Sequence, residues 1–131
     1  MEQNEKTKAL LAAFGCALAY LLAGKALAVI LPQVPEEAAR MWAFVHRCAA
    51  APIVEELVFR GAIQQQARPL GERQAVALQA VLFAVQHRGP AGMAYALVCG
   101  LVLGTLRSRT GSVWPGMLLH TLNNLLVFAA G

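Results

Sequence analysis

The stretch that decides the fold is residues 52–61, Pro-Ile-Val-Glu-Glu-Leu-Val-Phe-Arg-Gly, in which two adjacent carboxylates and one arginine interrupt an apolar run. On insertion scales, an ionised side chain at the centre of a bilayer costs about 2.5–3.5 kcal/mol. Three ionisable groups in so short an apolar stretch are expected to pair, to face a polar cavity or to do chemistry. The sequence therefore predicts a functional site within a membrane-buried helix.

The composition outside this stretch indicates a membrane protein. Of the 131 residues, 58% are hydrophobic and 14% are charged, whereas soluble domains carry about 25% charged residues. Residues 9–31 are long enough to cross a hydrocarbon core, and further apolar segments run over 41–64, 75–86, 91–106 and 113–130. Because only helices and closed barrels span bilayers, we expect an all-α, polytopic transmembrane bundle of about five to six helices. A soluble bundle with an unusually apolar core is the alternative.

The charged residues predict the organisation of the chain. Residues 1–8 are expected to be a cytoplasmic N-terminal segment, residues 9–31 the first transmembrane helix and residues 36–131 a helical core. In a chain that weaves through a membrane, three basic clusters fall on one side: Lys6 and Lys8, Arg68 and Arg73, and Arg107 and Arg109. Since positive charge accumulates on the cytoplasmic side, the N-terminus is predicted to be cytoplasmic.

Two other classes of function are disfavoured. The net charge of +4 is explained by topology, and the basic residues do not alternate with aromatic residues as single-stranded nucleic acid binding requires. No nucleic-acid partner is therefore expected. The three cysteines have no CxxC spacing, so neither a disulfide framework nor a cysteine metal site is predicted.

Helical spacing separates the two adjacent glutamates. Glu56 and Arg60 are four residues apart, so they share a helix face and can pair. Glu55 is rotated by about 100° and shares its face with Phe59 instead. One carboxylate can thus be neutralised by the arginine while its neighbour remains free to react.

The same spacing recurs in two later apolar segments. Phe83 precedes His87 by four residues, and His120 precedes Asn124 by four. Each pair has a structural interpretation, because a histidine near a helix end is usually hydrogen-bonded and asparagine often links transmembrane helices. Three such pairs on three helices would nevertheless converge on one cavity if those helices pack together.

Taken together, the three pairs resemble the CPBP (CAAX protease / Abi) family of intramembrane endopeptidases, which includes the Ras-converting type II prenyl endopeptidases. The family pattern is EExxxR, FxxxH and then HxxxN or HxxxD. Residues 55–60, 83–87 and 120–124 match these motifs in order, and the resemblance covers roughly residues 50–128.

The resemblance implies a glutamate-type protease with its catalytic motifs on three helices. Glu55 would be the general base for the attacking water, and His87 would share that water or carry its proton. His120 and Asn124 would donate hydrogen bonds to the oxyanion, while Glu56 and Arg60 would orient the first motif helix. The expected partners are membrane lipid and a peptide or lipidated protein substrate, and the expected location is the bacterial inner (plasma) membrane.

Three alternatives remain open at this point. Glu55, His87 and His120 could instead bind zinc as two histidines and one carboxylate, although the metal-free mechanism, with no cofactor, is favoured. The scaffold could act without catalysis, as a bacteriocin self-immunity protein or membrane adaptor. Family members commonly carry more helices before the first motif, so a homo-oligomer or a membrane partner protein could complete the cavity.

Overall fold

All regular structure in the described part of the chain is helical. The computed structural model describes residues 2–30 and 35–131. Helix α1 spans Glu2–Ile30, and residues 36–67 form one continuous helix, α2. A short 3-10 turn at Arg68–Leu70 leads to α3 (Glu72–Ala84), α4 (Gly89–Thr110) and α5 (Trp114–Ala130). The predicted all-helical class is confirmed, whereas the number of membrane-crossing helices stays a prediction.

Two of the described helices, α1 and α4, are long and apolar enough to cross a membrane. Helix α1 buries only a stripe of small residues, Ala9, Ala13 and Ala17. Its large apolar side chains, such as Leu11 and Phe14, are exposed. A surface this apolar requires a partner or a lipid phase to cover it. The structure thus agrees with the membrane setting that the composition indicates.

The first helix begins before residue 9, where the sequence analysis starts the first transmembrane helix. It starts at Glu2, so residues 2–8 continue the helix that carries the apolar span. Surface ion pairs join Lys6 to Glu2 and Lys8 to Glu5 within the first turns, and such pairs support a helix modestly. The predicted helix end at Leu31, and Met1 itself, lie outside the described residues.

Helix α2 carries the glutamate motif and contains two π-helical segments, His46–Ala50 and Glu56–Ile63. In the first, the N–H of Ala51 bonds to the carbonyl of His46, five residues earlier. The ring of Pro52 would crowd the carbonyl four residues before it in a regular α-helix, and the widened turn relieves this contact. The second segment starts at Glu56, so the two adjacent glutamates lie at a junction between α- and π-helix. Such segments are frequent at functional sites.

Close packing of α3 against α4 depends on small residues. A Cβ atom at Gly100 would lie 2.9 Å from both the Cα and the Cβ of Ala80, which is too close for any side chain. Gly104 also faces α3, where a Cβ atom would lie 3.1 Å from Val76 Cγ1, so the two glycines form a small-xxx-small face. The turn between α2 and α3 uses Gly71 at φ +114°, a conformation that glycine adopts without strain.

A row of aromatic side chains joins α1, α2 and α3 near the two adjacent glutamates. The ring of Phe59 on α2 lies edge-to-face against Tyr20 on α1 and against Phe83 on α3, with centroids 5.4 and 5.1 Å apart. Phe59 and Phe83 are both buried in the core. Edge-to-face pairs add specificity beyond buried area, so this row fixes the three helices in register around the carboxylates.

Candidate active site

A cavity of about 1070 Å³ lies among α2, α3, α4 and α5. Its walls include Glu55 and all three histidines of the chain, His46, His87 and His120. Phe83 and Asn124 line it as well. At least one residue of each predicted motif thus faces this one space.

The two adjacent glutamates lie in different surroundings. The Glu56 side chain is 1% exposed, whereas the Glu55 side chain is 18% exposed and lines the cavity. The ring of His120 lies between them, with Nδ1 2.9 Å from Glu56 Oε1 and Nε2 3.6 Å from Glu55 Oε2. The first distance is a hydrogen bond and the second is longer than one. His120 is therefore anchored on Glu56 and presents its other nitrogen towards Glu55.

Arg60 neutralises the buried carboxylate. Its Nη1 lies 3.2 Å from Glu56 Oε1, and the arginine is fully buried. The guanidinium carbon lies 4.5 Å from the centroid of the Phe83 ring, which adds a cation–π attraction. The structure thus brings Glu56 and Arg60 together as their spacing predicts, and it adds His120 as a second partner of Glu56.

His87 lies beyond the end of its helix rather than inside it. Helix α3 ends at Ala84, and the His87 N–H bonds to the Ala84 carbonyl in the following turn at 3.0 Å. The apolar segment over 75–86 is therefore not helical to its end, because the chain leaves the helix after Ala84 and turns towards Gly89 and Pro90. His87 Nδ1 lies 3.0 Å from the Phe83 carbonyl. Nδ1 then carries the proton, and Nε2 is the ring nitrogen that can accept one.

Asn124 links α5 to α2 and still faces the cavity. Its Nδ2 donates to the Arg47 carbonyl at 2.9 Å, and its Oδ1 accepts from Asn123 Nδ2 at 3.3 Å. A side-chain amide has two N–H groups, so one remains for another acceptor. The placement predicted beside His120 is observed, with this additional structural contact.

Several residues at the site were not identified by the sequence analysis. The Tyr20 hydroxyl donates to Glu55 Oε1 at 3.4 Å, and Tyr95, Cys99 and His46 line the cavity. Tyr20 and Tyr95 are the only tyrosines of the chain. A single tyrosine hydroxyl within an apolar helix indicates that the hydroxyl needs a polar partner, and this could have singled out Tyr20. No spacing rule, however, connects it to a motif on another helix.

The zinc alternative is not assembled in this geometry. Within residues 2–30 and 35–131, no three side chains of His, Cys, Asp and Glu are grouped to hold a metal ion. A catalytic zinc site uses three protein ligands, whereas here His120 is the one histidine that contacts Glu55 and its Nδ1 is bonded to Glu56.

All three motifs lie within one match to a known protein family. Residues 37–126 match the family model described as Type II CAAX prenyl endopeptidase Rce1-like. The match includes all three motifs and confirms the resemblance drawn from them. No curated protein and no solved structure matches the chain.

Proposed function

The chain belongs to the Rce1-like family of type II CAAX prenyl endopeptidases, and from this premise we propose that it is an intramembrane endopeptidase. It hydrolyses a peptide bond of a lipidated or membrane-associated substrate with a water activated by Glu55. The observation that carries the proposal is the placement of Glu55. Its carboxylate lines a large cavity, within 3.6 Å of His120 Nε2.

Glu55 acts as the general base because it is the carboxylate with access to water. It removes a proton as the water oxygen attacks the scissile carbonyl carbon, and a positioned base of this kind contributes about 10²–10⁴-fold to the rate. The Tyr20 hydroxyl holds the Glu55 carboxylate from the opposite helix at 3.4 Å. Glu56 does not compete for the role, since its side chain is 1% exposed and is not among the residues that line the cavity.

The developing oxyanion is stabilised from α5. Two donors in the cavity wall serve this oxyanion: the second N–H of Asn124, and the Nε2–H of His120 in its doubly protonated form, because the Nδ1 proton of that ring is already bonded to Glu56. Removing one such donor typically costs about 2.7–4 kcal/mol of transition-state stabilisation. Collapse of the tetrahedral intermediate breaks the C–N bond. The proton that Glu55 took from the water protonates the leaving amine, and His87, whose ring lines the same cavity, carries it across the space between them.

The cavity supports a substrate with an apolar group. Its volume of about 1070 Å³ is at the upper end of small-molecule sites, which run to about 1,000 Å³. Apolar residues, among them Phe83, Val127 and Phe128, form part of its wall. A peptide and an attached lipid chain can therefore share the space.

The proposal places the protein in a bacterial inner membrane with a cytoplasmic N-terminus. Contacts at one end of the bundle support this orientation. Helix α1 touches the turn Arg68–Leu70, and Ser108 near the end of α4 bonds to Glu72 beside that turn. Arg68 of that turn and Arg107 of α4 line the same small cavity, so two of the three basic clusters meet at this end. Membrane lipid and the substrate are the partners it requires, and a second copy or another membrane protein would extend the substrate entrance.

The test is hydrolysis by the purified protein in liposomes. The substrate is a synthetic peptide with a farnesylated cysteine followed by three residues, and the matched control peptide lacks the farnesyl group. Mass spectrometry is expected to show loss of the three terminal residues, faster for the farnesylated peptide. If the folded protein leaves both peptides intact, the proposal is wrong.

A further inference from the structure

A ladder of polar residues continues from the catalytic carboxylates to the end of the bundle. Glu56, Arg60, Gln64, Arg68 and Glu72 follow one another at intervals of four residues. The first three lie on α2, part of which is π-helical, Arg68 lies in the following turn and Glu72 begins α3, so contacts rather than α-helical spacing must join them. Glu56 and Arg60 belong to the glutamate motif. The other three residues have no role in the proposed reaction.

The lower part of the ladder is joined by direct hydrogen bonds. Gln64 Nε2 donates to Ser108 Oγ at 2.9 Å and to the Gly104 carbonyl at 3.0 Å. The Ser108 hydroxyl donates in turn to Glu72. Arg68 Nε donates to Glu72 Oε2 at 3.5 Å. Gln64 is thus fixed to α4, and through Ser108 to the start of α3.

The ladder is interrupted between Arg60 and Gln64. Both residues are buried, at 0% and 3% exposure. Gln64 Oε1 and the Nε and Nη2 of Arg60 have no hydrogen-bond partner among the described residues, and Arg60 Nη1 has only its ion pair with Glu56. Such groups are rare in folded proteins, and an unpartnered buried polar atom calls for a specific explanation.

A small cavity lies at this interruption. Its volume is about 10 Å³, and Arg60, Gln64 and Arg107 are among its walls. Arg107 Nε also has no hydrogen-bond partner among the described residues. A volume of roughly 10–15 Å³ is what one buried water needs, together with two to four polar partners.

We propose that one buried water bridges Arg60 and Gln64 in this cavity. Its oxygen accepts hydrogen bonds from the guanidinium of Arg60 and from Arg107 Nε, and one of its hydrogens is donated to Gln64 Oε1. An anion would suit the two arginines but would leave the acceptor of Gln64 without a donor. Water is the ligand that serves both, because it donates and accepts.

The bridge makes Gln64 a positioning residue for the catalytic site. The water connects Gln64 to Arg60 by hydrogen bonds, and Arg60 forms the ion pair with Glu56. Glu56 in turn accepts the 2.9 Å hydrogen bond that orients His120. This consequence rests on the proposed protease function, whereas the water site itself does not. The two parts can therefore be tested separately.

A crystal structure of the wild-type protein at a resolution that shows ordered water tests the site. The expected result is a water within hydrogen-bond distance of Gln64 Oε1 and of one Arg60 nitrogen. A direct Arg60–Gln64 hydrogen bond that closes the space would overturn the inference, as would an anion there. This measurement requires neither activity nor a variant.

Steady-state hydrolysis by Gln64→Met tests the positioning role, with Gln66→Met as the matched control. Gln66 is on the same helix but exposed. We expect kcat to fall about tenfold in Gln64→Met with KM unchanged, because a hydrogen bond to a charged group is lost away from the substrate. Gln66→Met is expected to keep the wild-type kcat. An unchanged kcat in Gln64→Met, or equal losses in both variants, would overturn the role. An inactive wild type would instead refute the proposed function and leave the water site to be decided by the structure.

Discussion

At the residue scale, two chain neighbours differ because of what surrounds them. Glu56 is enclosed by Arg60 and His120, while Glu55 reaches the cavity and meets Tyr20 and His120 Nε2. A buried carboxylate that has lost both water and a partner is very unfavourable, so the arginine stabilises Glu56 as a fixed anion. That fixed anion then orients the histidine beside the proposed base.

The contact of Tyr20 with Glu55 leads to a prediction for the phenol. In Tyr20→Phe, the ring still packs against Phe59 but the hydrogen bond to the carboxylate is lost. We expect kcat to fall by about three- to tenfold, the equivalent of one hydrogen bond, with KM and thermal stability nearly unchanged. Steady-state kinetics and thermal unfolding of the two proteins check this. A wild-type kcat in the variant would show that Tyr20 does not position the base.

The chain itself predicts only part of this site. The Glu56–Arg60 pair follows from helical spacing, because both residues are on one helix. The bond from His120 to Glu56 spans 64 residues, and that from Tyr20 to Glu55 spans 35. Such contacts depend on how separate helices pack. The motifs therefore indicate which residues meet, while the packing decides which atoms meet.

At the scale of the elements, α2 shows why periodicity alone is insufficient. Pro52 signals a local disturbance of the helix, and the structure places a π segment before it and a second one from Glu56. A π segment shifts every following side chain around the helix axis relative to an α-helix. No sequence rule for α-helices predicts that shift.

The contact between α3 and α4 gives a second prediction. Gly100→Ala is expected to destabilise the fold by about 1–3 kcal/mol through overpacking, because the new Cβ would lie 2.9 Å from Ala80. Gly92→Ala is the matched control on the same helix, where nothing lies within 4 Å of the new Cβ. It is expected to be neutral or to stabilise by up to about 1 kcal/mol. Equal thermal stability of the two variants in detergent would contradict the packing described here.

The start of α3 gives a prediction about pH. The hydrogen bond from Ser108, followed by the charges of Arg68 and Arg107, lowers the pKa of Glu72. A carboxyl whose pKa is lower in the folded state stabilises the fold above its unfolded pKa, and this stabilisation is lost as the pH falls through the folded value. Glu72→Gln should therefore lower thermal stability at neutral pH, and the difference should vanish in acid. A difference that is independent of pH would contradict the ionised Glu72 contact.

At the scale of the whole molecule, the distribution of polar groups is as informative as the fold. Among the described residues, five polar or charged side chains are buried in an otherwise apolar core, while many leucine and valine side chains are exposed. An exposed surface this apolar is unusual for a soluble protein, and inward-facing ionisable groups are typical of membrane bundles. Composition predicts the membrane class because it averages over the whole chain and does not depend on any single turn. The number of spans and the ends of helices, such as the end of α3 at Ala84, depend on local turns instead.

The metal-free mechanism also gives a prediction for the whole molecule. Hydrolysis should persist after dialysis against EDTA and 1,10-phenanthroline, because the proposed reaction uses only side chains and water. The measurement compares initial rates before dialysis, after it and after addition of zinc. Loss of activity that stoichiometric zinc restores would instead favour the site of Glu55, His87 and His120.

The most direct test of the account compares hydrolysis of the farnesylated peptide by wild type and by Glu55→Gln. The substitution keeps the size of the side chain and removes its basicity, so kcat should fall by about 10²–10⁴-fold while the protein stays folded. Glu37→Gln, in the exposed first turn of α2, is the control and should keep wild-type activity. If Glu55→Gln cleaves the peptide at the wild-type rate, Glu55 is not the base and the central claim is wrong.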